Sequence, residues 1–216
     1  MLELDHLVVA CTDLDSGEAW LRERLGVPLA PGGQHAGWGT HNRLLQLGGG
    51  MYLELIAADP TQPDPTQPRP FLLDDPAMRA RLARSPQLVH WLVRSTGDLD
   101  AALAALRYAP GTVSAMSRGS LRWRITLPEG GRPAAGGLLP TVIAWDVPPG
   151  QHPAARLPEV GVRLAGFEVR APAAVLACRP DVGAPVPIDW VEADTPGLAM
   201  TLDTPAGRTT IGSPLG

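Results

Sequence analysis

Two related stretches decide the fold: DHLVVA at residues 5–10 and VHWLVR at residues 89–94. Each is a short apolar run with β-branched residues, which is typical of a strand, and each is followed by an Asp-Leu-Asp triplet. The histidines, His6 and His90, lie 84 positions apart, and the triplets lie 85 apart. This repeat predicts a duplicated supersecondary unit whose equivalent positions meet around a pseudo-two-fold axis.

The same order of elements is predicted around both stretches. In the first half, a helix with Asp13 or Asp15 as its N-cap and Gly26 as its C-terminal stop follows the first strand. Residues 29–38 are ambiguous, with Gly32-Gly33 as a turn, and if they hold a strand the unit is βαβββ. The other strands of the first half are predicted at 4–11, 41–48 and 51–57. The second half has predicted strands at 87–95, 112–117, 121–127 and 139–147, and a helix at 98–107.

This order divides the chain into four segments. They are a first βαβββ unit at 1–58, a proline-rich loop and short helix at 59–85, a second βαβββ unit at 86–147 and a β-rich extension at 148–216. The tandem DPTQP pentapeptide in the second segment predicts an exposed loop, because its prolines block both a helix and a central strand. The extension is either a degenerate third unit that lost its helix or an extra sheet packed on the others. The predicted fold class is α+β.

Composition excludes several classes of protein. The net charge is −4, all 18 Lys/Arg positions are arginine and no basic cluster stands out, so a nucleic-acid partner is not expected. The two cysteines, Cys11 and Cys178, form neither a disulfide framework nor a CxxC zinc motif. No apolar stretch is long enough to span a membrane, and the N-terminal residues lack the pattern of a signal peptide. We therefore expect a cytoplasmic protein.

Paired βαβββ units are the hallmark of the vicinal oxygen chelate superfamily, and the chain resembles its glyoxalase-like branch. The superfamily includes glyoxalase I, extradiol dioxygenases and bleomycin-resistance proteins. The likeness extends over roughly residues 1–170. Short segments carry it: LDHLV at 4–8, GTHN at 39–42 with Leu44-Leu45, YLEL at 52–55, the run from Leu139 to Trp145, and HPA at 152–154.

The resemblance implies a curved mixed sheet around a cleft, with a divalent metal held by the first and last strands of each unit. Carried over to this sequence, those positions give His6, His90 and Glu54. The last strand of the second unit has no carboxylate at its centre, and Asp146 at its end is the nearest candidate for a fourth ligand. Two imidazoles and one carboxylate suit Zn, Fe, Ni, Co or Mn and leave positions open for a substrate with adjacent oxygens.

Strand alternation favours a cleft-facing position for these three residues. Successive side chains point to opposite faces of a sheet. On each of the three strands, the face without the polar residue is the more strictly apolar one, as expected if it packs under helices. Glu54 is thus predicted as a metal ligand or catalytic carboxylate, with an ion pair to Arg43, Arg122 or Arg124 as the alternative. For the histidines, the alternative is a hydrogen-bonded core position.

Five further residues are predicted to contact a substrate in the cleft. They are Arg94, Arg122, Arg124, Trp145 and His152. The arginines could meet an anionic group, and Trp145, together with Trp38 and Trp123, could line an apolar pocket. His152 could anchor a loop or cover the mouth of the cleft. The pair His41-Asn42 lies at a strand entrance and favours a structural role in a turn.

Three functions remain open from the sequence. The first is a metal-dependent lyase or isomerase, or a two-histidine, one-carboxylate dioxygenase, acting on a small substrate with adjacent oxygens. The second is a metal-free module that sequesters a small apolar or aromatic compound, as bleomycin-resistance proteins do. The third is a structural paralogue with no occupied cleft. The expected partner is a small molecule, with neither nucleic acid nor membrane, and the expected assembly is a monomer or a homodimer.

Overall fold

Two βαβββ units follow one another along the chain, as the repeat predicts. The computed structural model describes residues 1–215. The first unit consists of β1 (Leu2–Ala10), α1 (Leu14–Leu25), β2 (Ala30–His35), β3 (Thr40–Gly48) and β4 (Met51–Ala58), and α2 (Pro76–Leu82) follows it. The second unit consists of β5 (Gln87–Ser95), α3 (Leu99–Ala104), β6 (Thr112–Arg118), β7 (Leu121–Leu127) and β8 (Thr141–Trp145). The predicted α+β class with paired βαβββ units is confirmed.

Helix α1 begins and ends where its capping residues predict. The Asp13 carboxylate accepts the Ser16 backbone N–H at 2.9 Å, which satisfies one of the free donors of the first turn. At the other end, Gly26 adopts a left-handed φ of 73° and its N–H donates to the carbonyl of Arg22. The buried face of the helix carries Leu21 and Leu25, and it packs on the convex side of the sheet.

The eight strands of the two units form one curled sheet in the order β2-β3-β4-β1-β5-β8-β7-β6. Within each unit the first strand pairs in parallel with the fourth, and β1 and β5 join the two halves in antiparallel fashion. The halves are therefore related by a pseudo-two-fold axis between β1 and β5. The outermost strands β2 and β6 contact each other across the mouth, so the concave face encloses a cleft.

A β-bulge precedes each of the two repeated histidines. In the pairing of β1 with β5, Leu4 lies opposite Val93 and His6 opposite Leu92, which leaves Asp5 as an extra residue. A second shift in the register of the same two strands places Val8 opposite His90 and Val9 opposite Leu88. It leaves Val89, the residue before His90, as the extra one. The duplication has thus kept the backbone irregularity while changing the residue that occupies it.

The Gly32-Gly33 pair lies within strand β2, so the prediction of a turn there is wrong. The register of β2 against β3 shifts between Pro31 and Gln34, which places both glycines in an irregular part of the strand. A Cβ on Gly32 would lie 2.0 Å from Oδ1 of Asn42, and one on Gly33 would lie 2.9 Å from Cδ of Arg118. The glycines therefore leave room for two polar side chains to cross this strand.

The tandem pentapeptide at 59–68 is a largely exposed loop without helix or strand, as predicted, and Arg69 anchors its end. Arg69 is only 7% exposed, and its guanidinium donates to the carbonyl of Gly39 and to the carboxylates of Asp64 and Asp74. This anchoring leads the chain into Phe71, which has a φ of 60° and lines the cleft. A left-handed φ at a non-glycine residue persists only where surrounding contacts hold it.

The C-terminal extension forms a separate sheet. After α4 (Pro153–Arg156) come β9 (Arg163–Ala171), α5 (Ala173–Leu176), β10 (Ile188–Glu192), β11 (Gly197–Thr204) and β12 (Gly207–Pro214). The elements occur in the βαβββ order, but the strand order in space is β10-β9-β11-β12. The first strand of this group pairs with its second and third strands, whereas in the true units it pairs with the fourth. The extension is therefore an extra sheet rather than a third unit.

The extra sheet covers the convex face of the main sheet with apolar side chains. Its Phe167 packs edge-on to Trp91 of β5, with 5.3 Å between ring centroids, and Trp190 lies 5.8 Å from the same ring. These residues belong to one buried cluster that also includes α1 and the convex faces of β1 and β4. No helix within residues 1–215 is both long and apolar enough to cross a membrane.

Candidate active site

The bulge in β1 brings a carboxylate and an imidazole together. Leu4 and Leu7 both pack into the convex core, and the two residues between them both reach the cleft side. Oδ1 of Asp5 lies 2.6 Å from Nδ1 of His6. Regular alternation would have placed these neighbours on opposite faces, so the contact depends on the extra residue.

Asp5 is fully buried and accepts three hydrogen bonds. Besides His6, its carboxylate accepts Nε1–H of Trp145 at 3.0 Å and Nε2–H of His152 at 2.9 Å. Burial opposes ionisation, but the hydrogen bonds from His152 and His6 hold the pKa of Asp5 well below its ordinary value of 3.8. The ionised carboxylate requires a proton on Nδ1 of His6, and Nε2 of the neutral ring is then left as an acceptor facing the cleft.

Glu54, on β4, lies opposite that free nitrogen. Its Oε2 is 3.6 Å from Nε2 of His6, and the side chain is only 8% exposed. Its Oε1 accepts a hydrogen bond of 2.6 Å from the Asn42 amide. Tyr52, two residues earlier on the same strand, stacks on the His6 ring with 4.4 Å between centroids. The cleft therefore contains an imidazole and a carboxylate in near contact. Asp5 hydrogen-bonds the imidazole, and Asn42 hydrogen-bonds the carboxylate.

The ion pair predicted as the alternative for Glu54 is wrong, since its neighbours are histidines and an asparagine. Arg43 instead pairs with Asp15 and Glu18 on the convex side, where it ties β3 to α1.

Asn42 organises the polar end of the cleft, so the predicted turn role is wrong for this residue. Its amide nitrogen donates to Glu54 and lies 3.2 Å from Nε2 of His35. Its Oδ1 accepts the N–H of Gly33 at 2.9 Å and a guanidinium N–H of Arg118 at 3.1 Å. The available signal was alternation along β3, which places Asn42 on the same face as Thr40 and Leu44.

His35 completes this network as a neutral imidazole. Its Nδ1 lies 2.9 Å from Oγ1 of Thr40. Burial lowers the pKa of His35 below 6.5, although the nearby Glu54 carboxylate opposes the shift. His35 lies in the stretch whose sequence is ambiguous between strand and loop, so alternation could not assign its side chain to a face.

His90 lies on the same face of the sheet as Val8 but does not reach the cleft. Its Nδ1 lies 3.2 Å from the carbonyl of Gly137, and its Nε2 accepts the N–H of Thr141 at 3.2 Å. The ring is fully buried, and Phe71 packs against it with 5.3 Å between centroids. Burial lowers the pKa of His90 to about 3. Both ring nitrogens are engaged by the protein, so the alternative of a hydrogen-bonded core histidine describes His90.

The predicted set of metal ligands is therefore not assembled. The structure brings together His6 and Glu54, while His90 is held in the core and Asp146 pairs with Arg124 at 3.0 Å. Among residues 1–215, no group of three histidine, cysteine, aspartate or glutamate side chains is placed to hold a metal ion. Catalytic zinc sites take three protein ligands, and the residues present here do not fit that requirement.

Of the predicted substrate contacts, Trp145 lines the cleft and the three arginines do not. Arg94 donates to the Gly50 carbonyl and to Glu3 outside the cleft. Arg122 and Arg124 lie on the other face of β7 from Trp123, where Arg122 bonds backbone carbonyls of its own hairpin and Arg124 bonds Asp146. His152 anchors its loop to Asp5 behind Trp145 and also accepts the N–H of Ala154.

Arg118 lines the cleft, although none of the predicted substrate contacts includes it. On the β6–β7 hairpin, Met116 lies opposite Trp123, and Arg118 is two residues further along β6 on the same face. Its Nη1 reaches across to Asn42 of the first unit at 3.1 Å. Alternation counted back from Trp123 through the hairpin would have identified it.

The sequence matches one family. The profile of the glyoxalase-like domain matches residues 4–178, which is most of the chain. The chain belongs to this glyoxalase-like family. No curated protein matches it.

Several solved structures are similar to this glyoxalase-like protein in fold. Methylmalonyl-CoA epimerase from Mycobacterium tuberculosis is 24% identical, with 66% of this chain and 86% of that chain covered and a TM-score of 0.41. A methylmalonyl-CoA epimerase in complex with methylmalonyl-CoA and NH4+ is 22% identical, covering 67% and 94% with a TM-score of 0.40. A xylose isomerase-like TIM barrel/4-hydroxyphenylpyruvate dioxygenase fusion protein is 16% identical, covering 95% of this chain and 31% of that one, with a TM-score of 0.41.

The cleft of this glyoxalase-like protein has a polar end and an apolar wall. The polar end belongs mostly to the first unit and holds His6, His35, Asn42 and Glu54, with Arg118 reaching in from the second. The apolar wall belongs mostly to the second unit and to the segment that leads into it. Its residues are Phe71, Leu92, Met116, Trp123, Ile125, Leu127, Ile143 and Trp145. Such a division suits a small ligand that has one polar and one apolar end.

Proposed function

We propose that this glyoxalase-like protein is an isomerase that moves a proton at a carbon next to a carbonyl group of a small substrate. The observation that carries the proposal is the near contact of His6 and Glu54 inside the cleft, with 3.6 Å between Nε2 and Oε2. Proton transfer by positioned side chains contributes typically about 10²–10⁴-fold to a rate. Two such groups at one carbon can remove a proton and return one.

The orientation of His6 supports its role as the base. The Asp5 carboxylate fixes the proton on Nδ1, so the lone pair of Nε2 points towards the cleft and Glu54. Two acceptor atoms at this distance repel each other unless one of them carries a proton. A proton carried by either one of these two atoms would equip the pair with both an acid and a base.

The proposed reaction balances within the site. The unprotonated member of the pair takes the proton from the substrate carbon, and the electrons of the broken C–H bond move into the carbonyl to give an enolate oxygen. The protonated member then returns a proton to the same carbon or to a neighbouring atom. Asp5 acts by holding His6 and is a positioning residue, whereas His6 and Glu54 are the catalytic residues.

Proton exchange in D₂O tests this proposal directly. A panel of small 2-oxo acids, their methyl esters and simple ketones would be incubated with the protein, and loss of the C–H signal beside the carbonyl would be followed by ¹H NMR. We expect exchange to be faster than in buffer for at least one compound, and slower by about 10²-fold or more in His6→Gln and Glu54→Gln. Asp5→Asn should lower the rate without preventing ligand binding.

His41→Gln is a matched control for the His6 variant. His41 lies on β3, which β4 separates from β1, and it points away from the cleft towards Asp59. The His41→Gln variant should exchange substrate protons at the wild-type rate. If no compound exchanges faster than in buffer, or if both His6→Gln and Glu54→Gln exchange at the wild-type rate, the proposal is wrong. A divalent metal that co-purifies with the wild type and is lost from His6→Ala would also contradict it.

Sequestration of an apolar compound is the second candidate, because the wall opposite the polar end is aromatic and aliphatic. Trp123 and Trp145 lie with 5.5 Å between ring centroids and offer a stacking surface. Titration of aromatic compounds, followed by tryptophan fluorescence, would test this function. Tight binding that His6→Gln and Glu54→Gln leave unchanged, together with no proton exchange, would favour sequestration over catalysis.

A further inference from the structure

Arg118 is the feature of the cleft that proton transfer does not use. Among residues 1–215, it is the one lysine or arginine that lines the cleft, and no carboxylate lies within 4 Å of its guanidinium. Its hydrogen bonds to Asn42 and His35 both use Nη1. The donors on Nε and Nη2 are therefore available to a ligand. A half-buried guanidinium with free donors beside an apolar wall is suited to bind an anionic group.

The surrounding backbone keeps this guanidinium in place. Arg118 is the last residue of β6, and its side chain crosses towards β2. There, a Cβ on Gly33 would lie 2.9 Å from Cδ of Arg118 and 3.4 Å from its Nε. The absence of a side chain at Gly33 thus provides the path for the arginine. Asn42, which accepts Nη1–H, is itself fixed by Glu54 and by the N–H of Gly33. The cation is held on the first unit even though it belongs to the second.

We propose that the substrate is a carbonyl-containing monocarboxylic acid with an apolar body. Its carboxylate would accept hydrogen bonds from Nε and Nη2 of Arg118, and its body would pack on Met116 and Trp123, which lie beside Arg118 on the same face of the hairpin. The carbon to be deprotonated then lies between the carboxylate and His6. The inference rests on the proposed function and specifies its substrate class.

Charge at the polar end favours one negative charge on the substrate rather than two. Arg118 is the sole fixed cation there among the described residues, and Glu54 is a carboxylate held by Asn42 on the same side. His35 is neutral because burial lowers its pKa. A second carboxylate on the substrate would therefore be buried at this end of the cleft with no further cation to pair with it.

Matched acids and esters test the substrate class. The probes are phenylpyruvate, 2-oxohexanoate, phenylacetate and hexanoate, each compared with its methyl ester, and phenylsuccinate as a dianion. Affinities are measured by isothermal titration calorimetry on the full-length protein. We expect at least one acid to bind about 10-fold or more tightly than its ester, and the dianion to bind more weakly than the monoanions. Arg118→Gln should abolish the preference for the acid.

Arg122→Gln is the control, because Arg122 lies on the same hairpin but faces away from the cleft. It should keep the full preference for the acid. Far-UV circular dichroism and the thermal midpoint of both variants establish that they are folded, and Arg118→Lys tests whether a charge alone restores part of the preference. Esters that bind as tightly as acids, or an Arg118→Gln variant that still prefers the acid, would overturn the inference.

The outcomes separate this inference from the proposed function. If the acids bind through Arg118 but no carbon-bound proton exchanges, the substrate class stands and proton transfer is wrong. If esters and acids exchange at equal rates in the wild type, proton transfer stands and the carboxylate preference is wrong. His6→Gln should lose exchange while keeping the preference for the acid.

Discussion

One residue before each repeated histidine decides what that histidine does. Both histidines follow the extra residue of a β-bulge, which is Asp5 before His6 and Val89 before His90. Asp5 gives His6 a carboxylate partner and leaves its Nε2 facing the cleft. Val89 gives no such partner, and His90 bonds the Gly137 carbonyl and Thr141 instead. The first unit thereby supplies the His6–Glu54 pair, while the second supplies Arg118 and most of the apolar wall.

The buried ring of His90 makes stability depend on pH. Its pKa in the folded protein is lowered to about 3 from an ordinary 6.5, so folding favours the neutral ring. This contribution is fully present above pH 6.5 and is lost as pH falls from 6.5 towards 3, by up to about 1.4 kcal/mol for each pH unit. We expect the free energy of unfolding to fall less steeply over this range in His90→Gln than in the wild type.

Urea denaturation at pH 7, 6, 5 and 4 measures this difference. His35 and the carboxylates titrate in both proteins, so the comparison isolates the proton that His90 takes up on unfolding. Parallel curves for the two proteins would show that His90 is not held neutral by the fold.

At the scale of elements, β2 forms a strand because it pairs with β3, and its two glycines make room for side chains of neighbouring strands. Gly32 and Gly33 interrupt the pattern of a strand and favour a turn in the sequence. In the structure, the same glycines allow Asn42 and Arg118 to cross β2, and pairing with β3 supplies the strand. Local propensity is overridden here by contacts that only the folded sheet creates.

Gly32→Ala should therefore destabilise the protein and disturb the cleft. Its Cβ would lie 2.0 Å from Oδ1 of Asn42 and 2.5 Å from the Asn42 carbonyl oxygen, so the strand or the asparagine must move. We expect a loss of about 1–3 kcal/mol in the free energy of unfolding. Gly166→Ala is the matched control, since Gly166 is also a strand glycine but its Cβ would meet nothing within 4 Å.

Chemical denaturation of both variants gives the comparison, and the control should stay within about 0.5 kcal/mol of the wild type. Equal stability of Gly32→Ala and the wild type would mean that Asn42 is free to move and does not hold Glu54 rigidly.

At the scale of the whole molecule, the C-terminal sheet and the paired units share one core. Phe167 of β9 and Trp91 of β5 are both essentially fully buried and pack against each other. Since the apolar residues of both sheets belong to the same buried cluster, we expect the two sheets to unfold together. The extension thus stabilises the convex side of the sheet whose concave side forms the cleft.

Phe167→Ala tests this shared core. Deleting a buried phenylalanine ring leaves a cavity, which lowers stability by about 3–5 kcal/mol. The unfolding midpoints measured by tryptophan fluorescence and by far-UV circular dichroism should fall together in a single transition. Glu168→Ala, the next residue on the opposite face of the same strand, should change stability by about 0.5 kcal/mol or less. Two separate transitions in Phe167→Ala would show that the extension folds independently.

The sequence by itself determined the paired units, because strand and helix periodicity, caps and the internal repeat are local signals that survive folding. Alternation also predicted cleft-facing positions for Glu54 and His6, which line the cleft, and for His90, which does not. Asn42 and Arg118 were within reach of the same argument, since they follow from alternation on β3 and across the β6–β7 hairpin.

Only the tertiary structure decided which polar groups meet. The Asp5–His6 contact needs a bulge that breaks alternation, and a bulge appears only when β1 pairs with β5. His90 is kept out of the cleft by contacts with Phe71 and with the Gly137 carbonyl, which come from separate segments of the chain. Side-chain chemistry is set by neighbours in space, and those neighbours are far apart along the chain.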